Sequence, residues 1–166
     1  ATPMQLTLAT STLSNDGNTF IPHLLLSYKD NKTKELTMYD PDNNKFYTQM
    51  KNQDYLEIVK NAMWRVVNEK RVGTASHMKK VGDIEYAGKT GTAQVYNLDK
   101  GKTGTKNLQD HALFISYAPF DKPEVVVTVI VEHGGGGSST AAPIARDIIE
   151  YYMNNKTQKV AINEWL

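Results

Sequence analysis

The 166-residue chain contains no cysteine. That removes a disulfide framework and a thiol nucleophile, and it suits a cytosolic or an exported protein equally. No apolar run is long enough to cross a bilayer, and no signal peptide is present. Lys and Arg number 19 against 18 Asp and Glu, a net charge of +1 with no basic run, so the footprint of a nucleic-acid binder is missing. The four histidines, His23, His77, His111 and His133, are scattered with no helical pair and no cysteine partner. No metal site and no cofactor is expected from them. What remains is ordinary soluble composition, 40% hydrophobic and 22% charged, enough for one well-buried core or for part of a larger domain.

The most informative stretch is Glu85-Tyr86-Ala87-Gly88-Lys89-Thr90-Gly91-Thr92-Ala93-Gln94. Ile84, Tyr86 and Ala87 before it and Ala93, Val95 and Tyr96 after it make a β-compatible setting. A strand sends successive side chains to opposite faces, so Thr90 and Thr92 share a face and together suit a carboxylate. Gly91 between them lets a substrate backbone lie close. Lys89 adds a charge that favours an anionic substrate and influences proton transfer. The chain carries its own control, because Lys102-Thr103-Gly104-Thr105 repeats the same letters. Polar residues from Asn97 to Asp110 surround that copy, with little to bury, and it reads as loop.

Elsewhere, Thr2-Pro3-Met4-Gln5 reads as a capping box with proline at the first helical position. Leu6, Ala9 and Leu13 form its apolar stripe, and Asn15-Asp16-Gly17 ends the helix. A helix cap at the first residue, without an initiator methionine, gives the expectation of a piece cut from a longer protein. Between Thr19 and Met50 a twisted hairpin is expected, with Phe20, Ile21 and Leu24–Leu26 in one strand and Asp30-Asn31-Lys32 as its turn. Leu36, Met38 and Tyr39 supply the second strand, before the Asp40–Asn44 turn cluster. Asp54 to Asn68 is predicted helical, with Leu56, Val59, Met63 and Val66 inward and Trp64 packed beside them. Ser76-His77-Met78-Lys79 has the letters of a Ser-x-x-Lys nucleophile, but the polar segment and the following Val81-Gly82-Asp83 leave no helix start to carry it, so it is set aside. Two strands follow, Ala112–Ala118 and Glu124–Glu132. The second is β-branched throughout and is expected to be central and buried on both faces. Gly134–Gly137 reads as a linker or a glycine-rich anion cradle; no Gly-Lys-Ser/Thr follows, which argues against a nucleotide loop. Pro143 then opens a helix with Ile144, Ile148, Ile149 and Tyr152 inward, and the tail from Asn154 looks irregular, with Trp165 as an anchor.

Several blocks match one family in order and spacing: Ala1–Leu6, Gly73–Ala75, Gly88–Gln94, Asp110–Phe114 with Tyr117-Ala118-Pro119, and Glu132–Arg146. Together they resemble the C-terminal part of a class B penicillin-binding protein transpeptidase domain, nearest to the elongation type, penicillin-binding protein 2. Within that ordered match the glycine segment reads as native. The resemblance implies an α/β (α+β) architecture, an antiparallel sheet flanked by helices, in the transpeptidase fold shared with serine β-lactamases. It also implies a periplasmic enzyme anchored in the inner membrane, acting on peptidoglycan stem peptides that end in D-Ala-D-Ala and acylated by β-lactams. Cell-elongation proteins are the implied partners.

Residue by residue, the resemblance casts Lys89 beside the nucleophile's proton network and Thr90 and Thr92 as holders of the substrate carboxylate. The Thr92 backbone N–H becomes half of the oxyanion hole, and Gly91, Ala93 and Gln94 complete the substrate-binding strand. The family's Ser-x-x-Lys and Ser-x-Asn lie upstream of Thr2, and no Ser-x-Asn occurs in the chain. Residues 1–166 are therefore expected to be the C-terminal portion of one transpeptidase domain, without its nucleophile-bearing part. The competing readings are a non-catalytic penicillin-binding-fold module acting as sensor or scaffold, and a structural domain with a fortuitous strand motif.

Overall fold

The computed structural model describes residues 1–39, 46–47, 52–78, 80–94 and 109–155. The Lys102 copy of the Lys-Thr-Gly-Thr motif, Lys79, Trp165 and most of the tail lie outside the described residues. Among the described residues a three-stranded antiparallel sheet, in the order β5-β6-β7, is enclosed by helices on both faces. Its strands are β5 (Ala87–Ala93), β6 (His111–Ala118) and β7 (Val125–Val131).

One face carries α1 (Pro3–Ser14) and α2 (Gln53–Asn68). The capping box of α1 forms as the sequence predicts: the Thr2 hydroxyl accepts from Gln5 N–H at 3.3 Å and Gln5 Oε1 accepts from Thr2 N–H at 2.9 Å. Its buried residues are Thr10 and Ser14, not the apolar stripe. Their hydroxyls are satisfied by Leu6 O at 2.8 Å and Ser11 O at 3.1 Å, so burial costs little. The Thr7 hydroxyl, backed by Pro3 O, donates to Thr128 Oγ1 of β7 at 2.8 Å. Leu6, Ala9 and Leu13 are thereby turned toward α2. That helix buries Leu56, Met63 and Val67, while Val59 is exposed, so the buried stripe departs from the expected one at its centre and C-terminal end.

The opposite face packs against a π-helical turn, Gly137–Ala141, and α3 (Ala142–Asn154). Ala142, Ala145 and Ile149 face the sheet, whereas Ile144 and Ile148 point outward, contrary to the sequence expectation. Alanines let the α3 backbone come close to Phe114, Val127 and Val129, and this close approach selects the inward stripe. β7, expected from the sequence to be central, is instead one of the two outer strands, and its β-branched run reflects helices on both of its faces, not a central place in the sheet. β6 is central, and it supplies the fully buried Phe114, Ser116 and Tyr117.

Four short strands lie apart from this sheet. β1 (Asn18–Thr19) pairs with β4 (Phe46–Tyr47), and β2 (Ser27–Lys29) pairs with β3 (Leu36–Met38) in the register Ser27↔Met38. The expected strand through Phe20–Leu26 does not form, and Leu24 is fully exposed. Pro22 denies that segment a donor. The ladder begins where the Asp30 carboxylate accepts the Lys32 and Thr33 N–H groups, at 2.7 and 2.9 Å, and closes the turn.

Candidate active site

Helix α2 and the turn after it set the depth and direction of β5. Asn68 Nδ2 donates to both Trp64 O and Tyr86 O at 2.9 Å, tying the last turn of α2 to the residue before the strand. Trp64 Nε1 donates to Glu85 Oε2, also at 2.9 Å, while its ring packs near Phe120 in the core, as its sequence setting predicts. Beyond the helix, Gly73 N–H donates to Glu69 O at 2.9 Å and Ala75 N–H to Val66 O at 3.0 Å. A Cβ on Gly73 would stand 2.4 Å from Arg65 O and 2.5 Å from Val66 O, so only glycine lets this turn fold back onto α2. The fold-back brings the Thr74 hydroxyl to 3.0 Å from the Thr90 hydroxyl.

β5 begins buried at Ala87 and Gly88 and emerges at Lys89. A Cβ on Gly88 would lie 2.4 Å from Phe114 Cζ, so the glycine lets the strand sit down on β6. Thr90 and Gly91 are half-buried, and Thr92, Ala93 and Gln94 are exposed. The register Lys89↔Ile115, Thr90↔Phe114, Gly91↔Leu113, Thr92↔Ala112 places the motif along one margin of the sheet, and among the described residues no strand pairs with its outer edge. Unpaired N–H and C=O groups on such an edge are a template for an extended peptide. From the other face, Gly137 seats against the strand: a Cβ there would be 2.4 Å from both Gly91 O and Leu113 O.

Lys89 and Ile115 line an apolar groove of about 500 Å³ whose walls include Leu6 and Leu13 of α1 and Val59 and Met63 of α2. Lys89 Nζ donates to Thr90 O at 2.5 Å, and no carboxylate among the described residues forms a salt bridge with it. An ammonium held by a carbonyl at the lip of an apolar groove keeps its charge available to an incoming anion or nucleophile. Lys89 thus belongs to the groove, whereas Thr90 meets Thr74.

The family model of the "Penicillin binding protein transpeptidase domain" matches residues 1–150. The chain belongs to the penicillin-binding-protein transpeptidase family. It is 39% identical to the peptidoglycan D,D-transpeptidase MrdA of Haemophilus influenzae, across 96% of this chain and 25% of that protein. The chain spans about a quarter of the length of the curated relatives it matches. Among solved structures it is similar to Pseudomonas aeruginosa PBP2 in a complex with WCK 5153, at 31% identity and a TM-score of 0.72, over 92% of this chain and 30% of that one. It is also similar to Helicobacter pylori PBP2 in its complex with MreC, at 28% identity and a TM-score of 0.65, over 98% of this chain and 25% of that one. The α/β transpeptidase fold expected from the sequence is therefore the fold of this family.

Ser76, the serine of the Ser-x-x-Lys letters, lies in a run of turns and donates to Gly73 O at 2.8 Å. It braces the turn that carries Thr74. Thr74 itself is the residue that sequence reasoning passed over. Gly73-Thr74-Ala75 is legible in the sequence only as one of the blocks that match the family, because its meeting with Thr90 depends on where α2 ends relative to β5.

Proposed function

We propose that this chain forms one wall of the active site of a serine D,D-transpeptidase that cross-links peptidoglycan stem peptides ending in D-Ala-D-Ala during cell elongation, and that β-lactams acylate. The observation that carries the reading is β5 itself, which presents Lys89 to an open groove and lays Thr90 and Thr92 along an unpaired edge. The nucleophilic serine comes from the remaining part of the same domain, seated on the apolar groove between α1 and α2. Residues 1–166 are the C-terminal portion of that domain.

In the proposed reaction the serine oxygen attacks the penultimate D-Ala carbonyl. The peptide C–N bond breaks, terminal D-Ala leaves with a proton on its nitrogen, and an ester remains on the serine. An amine from a neighbouring stem then attacks the ester, forming the cross-link and returning the proton to the serine. Lys89 favours the ionised nucleophile and the anionic substrate. Thr90 and Thr92 hold the terminal carboxylate, and the Thr92 N–H faces the developing oxyanion. Gly91, Ala93 and Gln94 let the substrate lie along the strand. No cofactor or metal enters this scheme.

The relative solved with MreC supports proteins of the elongation machinery as partners. The name of the MrdA relatives, peptidoglycan D,D-transpeptidases, supports a periplasmic site of action, and an inner-membrane anchor is part of the same proposal, carried by the family resemblance alone. No helix among the described residues is long and apolar enough to span a membrane. The test is covalent labelling. The complete protein is expected to take up a fluorescent penicillin, residues 1–166 alone are not, and adding the upstream part restores labelling. Labelling of residues 1–166 at Ser76 would overturn the assignment.

A further inference from the structure

His111 and His133, apart in sequence, meet at the end of the sheet where β5 finishes. His111 opens β6 opposite Ala93, and His133 stands in the turn leaving β7. Their rings pack edge to face with centroids 4.9 Å apart. The main-chain N–H of His133 donates to His111 Nδ1 at 2.9 Å. A ring nitrogen accepts only while it carries no proton, so this bond requires neutral His111 with its hydrogen on Nε2. His133 Nδ1 lies 3.1 Å from Gln109 O, a carbonyl that only accepts, so His133 donates there whether its ring is neutral or charged. Of the two contacts, only the one at His111 is lost on protonation.

The turn that this contact helps to hold combines left-handed backbone with three further hydrogen bonds. His133 adopts φ 52°, in the left-handed region, and Gly135 φ 77°. Gly134 N–H donates to Val131 O at 3.1 Å, Gly135 N–H to Asp110 O at 2.8 Å, and the Thr140 hydroxyl to Gly134 O at 2.7 Å. Two residues on is Gly137, seated against Gly91 and Leu113. Among the described residues, few charged groups lie around His111. Asp110 precedes it and Glu132 precedes His133. β7, α1 and the Gly137–Ala141 turn carry no charged side chain, and β5 carries only Lys89, four positions along from Ala93. On α3, Arg146 pairs with Asp147 and Glu150.

We propose that His111 is a pH sensor for the active-site strand: its protonation removes one of the hydrogen bonds of the His133 turn, loosens the seat of Gly137 against Gly91, and reversibly slows acylation in mild acid. The inference rests on the transpeptidase reading only for its activity readout. The test compares wild type, His111→Asn and His133→Asn in the complete protein at about pH 7.5 and about pH 5.5, the range over which imidazole changes charge. Asparagine at 111 puts a non-titrating amide oxygen in place of the Nδ1 acceptor. Asparagine at 133 keeps the main-chain donor and tolerates the left-handed backbone.

Acidification is expected to slow penicillin acylation of wild type and His133→Asn by about fivefold more than that of His111→Asn, the equilibrium worth of one neutral hydrogen bond. Amide protection over residues 131–137, taken relative to the intrinsic exchange rate at each pH, is expected to fall in acid in those two proteins and not in His111→Asn. Parallel pH profiles and parallel exchange in all three would overturn the sensor. Exchange that responds to acid in a protein no penicillin labels supports the sensor and rejects the transpeptidase reading alone.

Discussion

Replacing Gly137 by alanine places a methyl carbon 2.4 Å from Gly91 O, 2.4 Å from Leu113 O and 3.0 Å from Gly91 N. Carbon and carbonyl oxygen approach no closer than about 3.3 Å in ordinary contacts, so the turn or the strand must retreat by roughly 1 Å. All three neighbours are main-chain atoms, and no rotamer change relieves them. Overpacking of this kind costs about 1–3 kcal/mol, which in a unit of this size lowers the melting temperature by roughly 2–10 °C. If the proposed site is right, displacing the Gly91 segment by about 1 Å is expected to lower acylation by up to about 10²-fold. The neighbouring Gly136 is the control: its added Cβ meets only the Ser139 side chain, with the rotatable hydroxyl at 2.8 Å. Gly136→Ala is expected to stay within about 0.5 kcal/mol of wild type. Thermal melting and labelled-penicillin acylation of the complete protein measure both effects. Equal losses at the two glycines would refute the claim that Gly137 seats the active-site strand.

Two other perturbations probe the same architecture. Thr74→Val removes the hydroxyl 3.0 Å from Thr90 and is expected to slow acylation by a penicillin with a free carboxylate by about tenfold or less, the worth of one hydrogen bond. Its methyl ester should be little affected, and Thr74→Ser should restore the rate; equal slowing of acid and ester would leave Thr74 a merely structural part. Burial pushes the Tyr86 and Tyr117 phenols up to about 12, against about 10 for tyrosine in an unfolded chain. Because the folded values are raised, this stabilisation is complete below about pH 10 and is lost as pH rises through about 12. Melting temperature should fall across that window, and less steeply in the double variant Tyr86→Phe/Tyr117→Phe.

What the sequence made legible was whatever depends on near neighbours. The Thr2–Gln5 capping box, the Asn15-Asp16-Gly17 stop and the β5 strand are local patterns, and each forms. Which side of an amphipathic element faces the core was read less well, because that depends on the partner. α1 buries threonine and serine since their hydroxyls find carbonyls one turn back, freeing its leucines for the groove. α3 turns Ala145 inward because a small residue permits close approach, leaving Ile144 and Ile148 outside. The strand expected over Phe20–Leu26 does not form, and the segment contains Pro22, which has no N–H to give a ladder. Within the site, the Lys89–Gln94 strand was visible as a motif. The Thr74 contact and the His111–His133 pair were not, since each joins segments whose meeting is set by the fold.

The duplicated motif supplies the most direct measurement of the central claim. Lys89→Ala and Lys102→Ala alter the same letter in two copies of Lys-Thr-Gly-Thr, and the rate of covalent labelling by a fluorescent penicillin is read in the complete protein after thermal melting has verified each fold. Lys89→Ala removes the charge at the lip of the groove and is expected to slow acylation by about 10²–10³-fold, the usual cost of one preorganised electrostatic contact. Lys102→Ala, in the copy that the sequence sets among polar residues, is expected to remain within about twofold of wild type. Equal slowing by the two, or a larger effect at Lys102, would contradict the assignment of β5 as the active-site strand.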